Sequence, residues 1–252
     1  MRIDLFLVEN RLAESRTEAK KLILAGAVSI DGRIISKPSF DYNLTASDLT
    51  VDKSIIKYAS RGGFKLEGAL KDFNINVTDR IAIDVGASSG GFTDCLLQNG
   101  ARHVLAVDSG SGQIADFLRK SEKVTVFENF NARYMKPSDF RYTPSIAVMD
   151  VSFISATYII PAVYELLADN SDFICLIKPQ FEVGKGALGK GGIVKDKKAL
   201  EFAKSKVSDF AKEIGFKHIK TIESPIKGGD GNTEYLAHFR KERENEESNF
   251  NT

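Results

Sequence analysis

Four charged side chains in this sequence stand where an α/β protein keeps its chemistry. Asp150 in AVMDVSF and Lys178 in CLIKPQFE close short apolar stretches that read as strands, and Glu234 opens another, EYLAHF, after GGDGNT. Open α/β sheets hold their ligands at the carboxyl ends of strands. Lys65, in SRGGFKL, follows a double glycine just before the first strand of the same series, where the glycines can bring the backbone over a site. Two amines and two acids stabilise one another, so such a set makes either an ion-paired sheet edge or a site that handles a proton. The residues alone leave both open.

A second group of residues implies a ligand. The strand IAIDV runs into IDVGASSGGF and then into a helix near Thr93, which spaces Asp84, Gly86, Gly90 and Gly91 along one turn, with Ser88 between them. Glycine is required there because the ligand must approach the backbone and the chain turns sharply. The pattern is neither the G-x-G-x-x-G of a dinucleotide site nor a phosphate loop ending in G-K-[ST]. A D-x-G-x-x-x-G-G turn without a phosphate lysine suits a nucleoside lacking phosphate, and S-adenosylmethionine is one. Asp108 ends the next strand, HVLAVD, where a carboxylate can accept both hydroxyls of a ribose. After the third strand, in FENFNAR, Asn131 or a neighbour is placed to read an adenine edge.

These residues need a sheet to position them. IAIDV, HVLAVD, KVTVF, SIAVMDV, DFICLIKP and EYLAHF are separated by helical stretches. That alternation is the βαβ rhythm of a mostly parallel, Rossmann-like sheet with helices on both faces. Ahead of it the texture differs. Leu5, Phe6 and Val8 start a short helix, and Ser15 with Glu18 forms a capping box for a second that ends at Gly26. Val28, Ile30, Asp31-Gly32 and Ile34 then read as a tight hairpin. Composition places a small α+β domain over residues 1–50, a linker over 51–60, the α/β domain over 61–240 and a polar tail over 241–252.

Bulk properties narrow the function. The 252 residues, 42% of them hydrophobic, suffice for two cores, and 35 Lys and Arg against 34 Asp and Glu leave a net charge of only +1. Any nucleic-acid signal must therefore be local. Cys95 and Cys175 lie in apolar stretches and suit buried thiols in a reducing cytoplasm. The start MRIDLFLVEN carries Asp4 and Glu9 and does not read as a signal peptide, and no apolar run reaches the roughly 20 residues that span a bilayer.

Local basic patches exist. Arg16 and Lys20 share a helix face beside Lys21, with Arg33 and Lys37 arriving from the hairpin and Arg2 from the chain start. Between Lys178 and Lys198 six lysines, Lys185 and Lys190 among them, face only Glu182 and Asp196, for a local charge of +4. That glycine-rich stretch reads as a mobile flap that grips RNA backbone.

Two resemblances follow from these motifs. RIDLFLVENRLAESRTEAKKLILAGAVSIDGRIISKP resembles the alpha-L RNA-binding domain found in a ribosomal small-subunit protein and in pseudouridine synthases. YASRGGFKLEGAL, IDVGASSGGFTD, AVMDVSFIS, IKPQFEVG, KGGIVKD and GDGNTEYL, in this order, resemble the TlyA (hemolysin A-like) branch of FtsJ-type rRNA 2'-O-methyltransferases. The second resemblance implies a Lys-Asp-Lys-Glu catalytic tetrad on Lys65, Asp150, Lys178 and Glu234. It implies S-adenosylmethionine held by the Asp84–Gly91 loop and Asp108, and a cytidine ribose of ribosomal RNA as substrate. Lys178 is the expected centre, either accepting the hydroxyl proton or orienting its lone pair. Long-form members carry residues before the RNA-binding module; here the motif begins at Arg2, so the short form and large-subunit RNA are expected.

Carbon-5 base methylation and a metal site are disfavoured, since there is no Pro-Cys pair and no His cluster. Two other classes stand as rivals: a membrane-lysing protein, as the family name raises, and a non-catalytic ribosome-assembly factor.

Overall fold

The structure, a computed structural model, describes residues 1–43, 48–53, 57–228 and 231–243. The chain forms two compact units, Met1–Arg61 and Gly62–Thr252.

In the first unit α1 (Ile3–Glu9) and α2 (Arg16–Leu24) pack beside a three-stranded antiparallel sheet of β1 (Val28–Ile30), β2 (Arg33–Ile34) and β3 (Leu49–Val51), in the order β2-β1-β3. Asp31 and Gly32 turn the hairpin at φ +49° and +75°, the left-handed pair that a two-residue loop needs. Ser15 Oγ caps α2 by accepting from the Glu18 N–H at 3.2 Å. The Glu18 carboxylate reaches past Ser15 to the Glu14 N–H, at 2.5 Å, so the expected box closes one residue early. The core is built from Ile3, Leu7, Ala19, Leu22, Ile23 and Val28; Leu5, expected on the apolar face of α1, is exposed. The strand β3 pairs with β1 through Ser29 and Thr50, so the composition boundary at residue 50 falls inside a strand. Residues 54–56 of the expected linker and 244–252 of the expected tail lie outside the described residues.

The second unit opens with α3 (Gly62–Asp72) and continues with β4 (Ile81–Val85), α4 (Gly91–Gln98), β5 (His103–Val107), α5 (Asp116–Arg119), β6 (Val124–Phe127), β7 (Ile146–Met149), α6 (Ile160–Leu166), β8 (Ser171–Ile177), α7 (Pro179–Glu182), α8 (Lys197–Ile214), β9 (Lys217–Glu223) and β10 (Tyr235–Lys241). The sheet order is β6-β5-β4-β7-β8-β10-β9. The strands from β6 through β8 are parallel, while β10 runs antiparallel to both β8 and β9. The order reverses between β4 and β7, the switch point beside which such sheets bind ligands. β7 and β8 are buried along their whole lengths, as continuous apolar runs demand of a sheet covered on both faces. The edge strand β9 was not expected: it carries Lys217, Lys220 and Glu223 and few apolar residues, a charged composition that also guards an edge against pairing.

Candidate active site

Each tetrad residue is delivered by a different element. Asp150 leaves β7 and Lys178 leaves β8 on adjacent parallel strands, whose last pair is Met149 with Cys175. Glu234 precedes an antiparallel strand, and the register Tyr235 to Ile177 brings it beside the same carboxyl ends. Lys65 comes from the buried face of α3, which also carries Gly63, Leu66, Ala69 and Leu70 at helical spacing. The double glycine therefore starts a helix.

The four side chains converge. Lys65 Nζ donates to Glu234 Oε2 at 2.6 Å and lies 4.0 Å from Asp150 Oδ2, while Lys178 Nζ lies 2.6 Å from Asp150 Oδ1. The result is a line of alternating charge, Glu234, Lys65, Asp150, Lys178, with no net charge of its own. Lys178 also donates to Ser152 Oγ at 2.7 Å. Glu234 is nearly sealed at 3% side-chain exposure, whereas Asp150 at 21% opens toward a cavity.

That cavity, of about 490 Å³, is lined by Gly86, Ser88, Val107, Asp108, Gln113, Phe130, Asn131 and the segment Asp150–Ile154. Gly86 at φ +86° and Gly90 at φ +90° shape the turn after β4, and Ser88, at φ +47°, points its N–H at Asp108. The Asp108 carboxylate accepts from the Ser88 N–H and the Gly110 N–H, both at 2.7 Å. Each oxygen keeps a lone pair for a further donor, such as a ribose hydroxyl. Asn131 lines the cavity, yet its Oδ1 caps a 3₁₀ turn by accepting from the Arg133 N–H at 3.1 Å, leaving its amide as the free end.

Asp84 lies elsewhere. It is fully buried behind the loop and does not line the cavity; its Oδ2 accepts from Thr93 Oγ1 at 2.6 Å and its Oδ1 has no partner. Burial pushes its carboxyl up to about 7, with the Thr93 hydrogen bond opposing and the charges of Asp150 and Asp108 adding to the rise. Gly90 and Gly91 are also behind the wall: Gly90 has Leu118 where a side chain would be, and Gly91 starts α4. These three residues shape the loop from its buried side, while Gly86, Ser88 and Asp108 face the cavity.

The cavity suits S-adenosylmethionine. Its volume lies in the range of roughly 300–1,000 Å³ typical of small-ligand sites. It offers a carboxylate acceptor with spare lone pairs and a glycine turn without a phosphate lysine. Gly86, Ser88 and Asp108 would hold the nucleoside, with Asp150 at the end facing the amines.

The sequence profile of the FtsJ-like methyltransferases matches residues 58–241, and that of the S4 domain matches residues 1–45. The chain belongs to the FtsJ-like methyltransferase family. Similar proteins include Hemolysin A of Brachyspira hyodysenteriae, 43% identical over 95% of this chain and 99% of that one. Another is the 16S/23S rRNA (cytidine-2'-O)-methyltransferase TlyA of Mycobacterium tuberculosis, 41% identical over 95% of this chain and 89% of that one. A solved structure from Streptococcus thermophilus is 42% identical, covers 96% of this chain and 88% of that one, and superposes with a TM-score of 0.76. The resemblances read from the motifs thus extend over nearly the whole FtsJ-like chain and its S4 domain.

Of the expected RNA contacts, Arg2, Arg16, Lys20, Lys21, Arg33, Lys37 and Lys190 are exposed. The side chain of Lys185 lies outside what the structure describes. Arg2 and Arg16 have a second engagement: Arg2 grips both oxygens of buried Asp4 at 2.9 and 3.0 Å, and Arg16 adds a bond at 3.0 Å. The flap is pinned at one end, where buried Asn232 accepts from the Val194 N–H at 3.0 Å and donates to the Gly192 carbonyl at 3.2 Å. Ser152 was missed in the sequence, although its place two residues after Asp150 was the available signal.

Proposed function

We propose that this FtsJ-like methyltransferase transfers a methyl group from S-adenosylmethionine to the 2'-hydroxyl of a cytidine ribose in ribosomal RNA. The observation that carries the reading is the chain of ion pairs that joins Lys178, Lys65 and Glu234 to Asp150, which itself lines a nucleoside-sized cavity. The cofactor supplies an electrophilic methyl carried on a sulfonium. The protein has to fix a very weakly acidic hydroxyl in line with that methyl and stabilise the negative charge that develops as its proton leaves.

Lys178 and Lys65 provide the positive field; as the oxygen–methyl bond forms and the sulfur–methyl bond breaks, the hydroxyl proton passes to Lys178 or, where Lys178 only orients the hydroxyl, to solvent in the cavity beside Asp150. Asp150 aligns both amines, and Glu234 holds Lys65 from its sealed side. The S4 domain and the lysine-rich flap bear on RNA backbone, which orients the substrate without reading its sequence. Such a substrate puts the enzyme in the cytoplasm.

Large-subunit RNA is the finer expectation. The 41%-identical relative named for both 16S and 23S RNA argues for the broader alternative. Among the described residues no helix is long and apolar enough to cross a membrane, which gives direct lysis no support.

The test is methyl transfer from labelled cofactor to both ribosomal RNAs, by wild type and by Lys178→Ala, with the modified nucleotide mapped by mass spectrometry. Loss of transfer in the variant is expected. Equal activity in both proteins defeats the mechanism, and an inactive wild type that still binds RNA favours the assembly factor.

A further inference from the structure

The ion pair between Asp150 and Lys178 joins two strand exits, but neither strand fixes the segment that follows. After Asp150 the chain passes through Ser152 and Phe153, and Phe153 holds φ at +64° with 91% of its surface exposed. A bulky residue in the left-handed region costs of order 1–3 kcal/mol, and an exposed ring recovers little of it by burial. The ring meets Phe181 of α7, at 5.2 Å between centroids, and the segment is also anchored at its two ends. One anchor is the Asp150 N–H, which donates to the Val85 carbonyl at 2.9 Å.

The other anchor is Glu182. It is buried, 5% exposed, and its carboxylate accepts from Ser155 Oγ at 2.5 Å and from the Ala156 N–H at 2.7 Å. Lys206 from α8 completes the set at 3.0 Å. Glu182 ends α7, whose N-cap is Lys178 itself. One carboxylate thus ties the far end of the Asp150 segment to the turn that begins at Lys178. A buried ion pair is a weak source of stability, because well-packed apolar residues serve as well or better. What it fixes here is geometry.

We infer that Glu182 is a positioning residue for the methyl transfer: it holds the segment after Asp150 in place, and through Ser152, hydrogen-bonded to Lys178 at 2.7 Å, sets where the Lys178 amine points. The role rests on the reaction proposed above and adds to it a residue that touches neither substrate nor cofactor.

The experiment compares wild type, Glu182→Ala and Glu182→Gln in methyl transfer to ribosomal RNA, with cofactor affinity by calorimetry and folded fraction by circular dichroism. Gln keeps the shape: its Oε1 can accept from the Ala156 N–H while its Nε2 donates to Ser155 Oγ, which turns its own hydroxyl away. For Glu182→Ala the expected result is kcat lowered about tenfold or more, as a misplacement near 1 Å produces. KM for RNA and cofactor Kd should stay within about twofold, and Glu182→Gln should recover most of the loss.

A folded Glu182→Ala with wild-type kcat overturns the inference. So does a loss that follows the unfolded fraction or that Gln fails to repair, since a merely structural residue behaves that way. If Glu182→Ala does not fold, Ser155→Ala removes one of the same bonds, and an unchanged kcat in it overturns the role. A wild type that transfers no methyl group overturns the reaction itself, a failure distinct from any difference between the variants.

Discussion

Gly86 lies so close to the carbonyl oxygen of Asp150 that a side chain at 86 would overlap it. The residue also holds φ at +86°, which costs any L side chain strain independent of space. The glycine turn after β4 and the residue that leaves β7, for which cofactor binding and catalysis are proposed above, are therefore packed backbone to backbone. Gly86→Ala has to move one of them: folding stability should fall by about 2 kcal/mol or more, and cofactor affinity with it. Denaturant unfolding and calorimetric titration with S-adenosylmethionine measure both, and wild-type values for the two would show that the contact does not matter.

The two lysines should fail differently. Removing Lys65 leaves Glu234, at 3% exposure, without its partner, and an uncompensated buried charge costs about 3–5 kcal/mol. Removing Lys178 leaves Asp150, at 21% exposure, with Lys65 still 4.0 Å away, so the fold should survive largely intact. Lys65→Ala should unfold at much lower denaturant, and Lys65→Met with Glu234→Leu should restore stability without restoring methyl transfer. A double variant as unstable as Lys65→Ala would contradict this account.

Asp84 predicts a pH dependence. Its folded-state carboxyl sits near 7, above the usual carboxylate value, because it is buried. Between about pH 4 and pH 7 the native chain keeps a proton that the unfolded chain has lost, so the stabilisation is complete below that window and is lost as pH rises through about 7. The contribution falls by up to about 1.4 kcal/mol per pH unit. Asp84→Asn should flatten this slope, read as the difference between the two proteins' unfolding free energies from pH 4.5 to 8. Parallel curves would mean that Asp84 does not titrate there.

How much of this was legible beforehand depended on whether local chemistry dictated the outcome. The hairpin at Asp31-Gly32, the helix cap at Ser15 and the buried runs of β7 and β8 follow from turn chemistry and apolar patterning, and their positions were readable. Asp150, Lys178 and Glu234 could be nominated because each ends or begins such a run, and Lys65 because it follows a double glycine. Their convergence could not, since it needs the antiparallel return of β10 and the inward face of α3. The edge strand β9 was hidden by its charges. Asp84 read as a ligand-facing acid because strand alternation says nothing about depth, and the bond to Thr93 that turns it inward spans two elements. Glu182, in a short apolar stretch, carried no signal apart from its clamp.

Asp4 separates the basic residues of the S4 domain into two kinds. It is buried, and hydrogen bonds from Arg2, then from Arg16, hold its carboxyl at about 2 against the cost of burial. A depressed carboxyl stabilises above about pH 4 and ceases to do so as pH falls through about 2. Arg2 and Arg16 therefore serve the fold as well as any RNA, whereas Lys20 and Lys21 are exposed on α2. Lys20→Ala or Lys21→Ala should weaken RNA binding evenly across sequences and lower the slope of log affinity against log salt by about one, with the unfolding midpoint unchanged. Arg16→Ala should weaken RNA binding and also lower the midpoint, because Asp4 loses a donor in a buried position. Salt titrations of RNA binding alongside thermal melts test the division: an Arg16→Ala protein as stable as wild type, or a Lys20→Ala protein with an unaltered salt slope, would show that the two kinds of residue are not as the Asp4 contacts sort them.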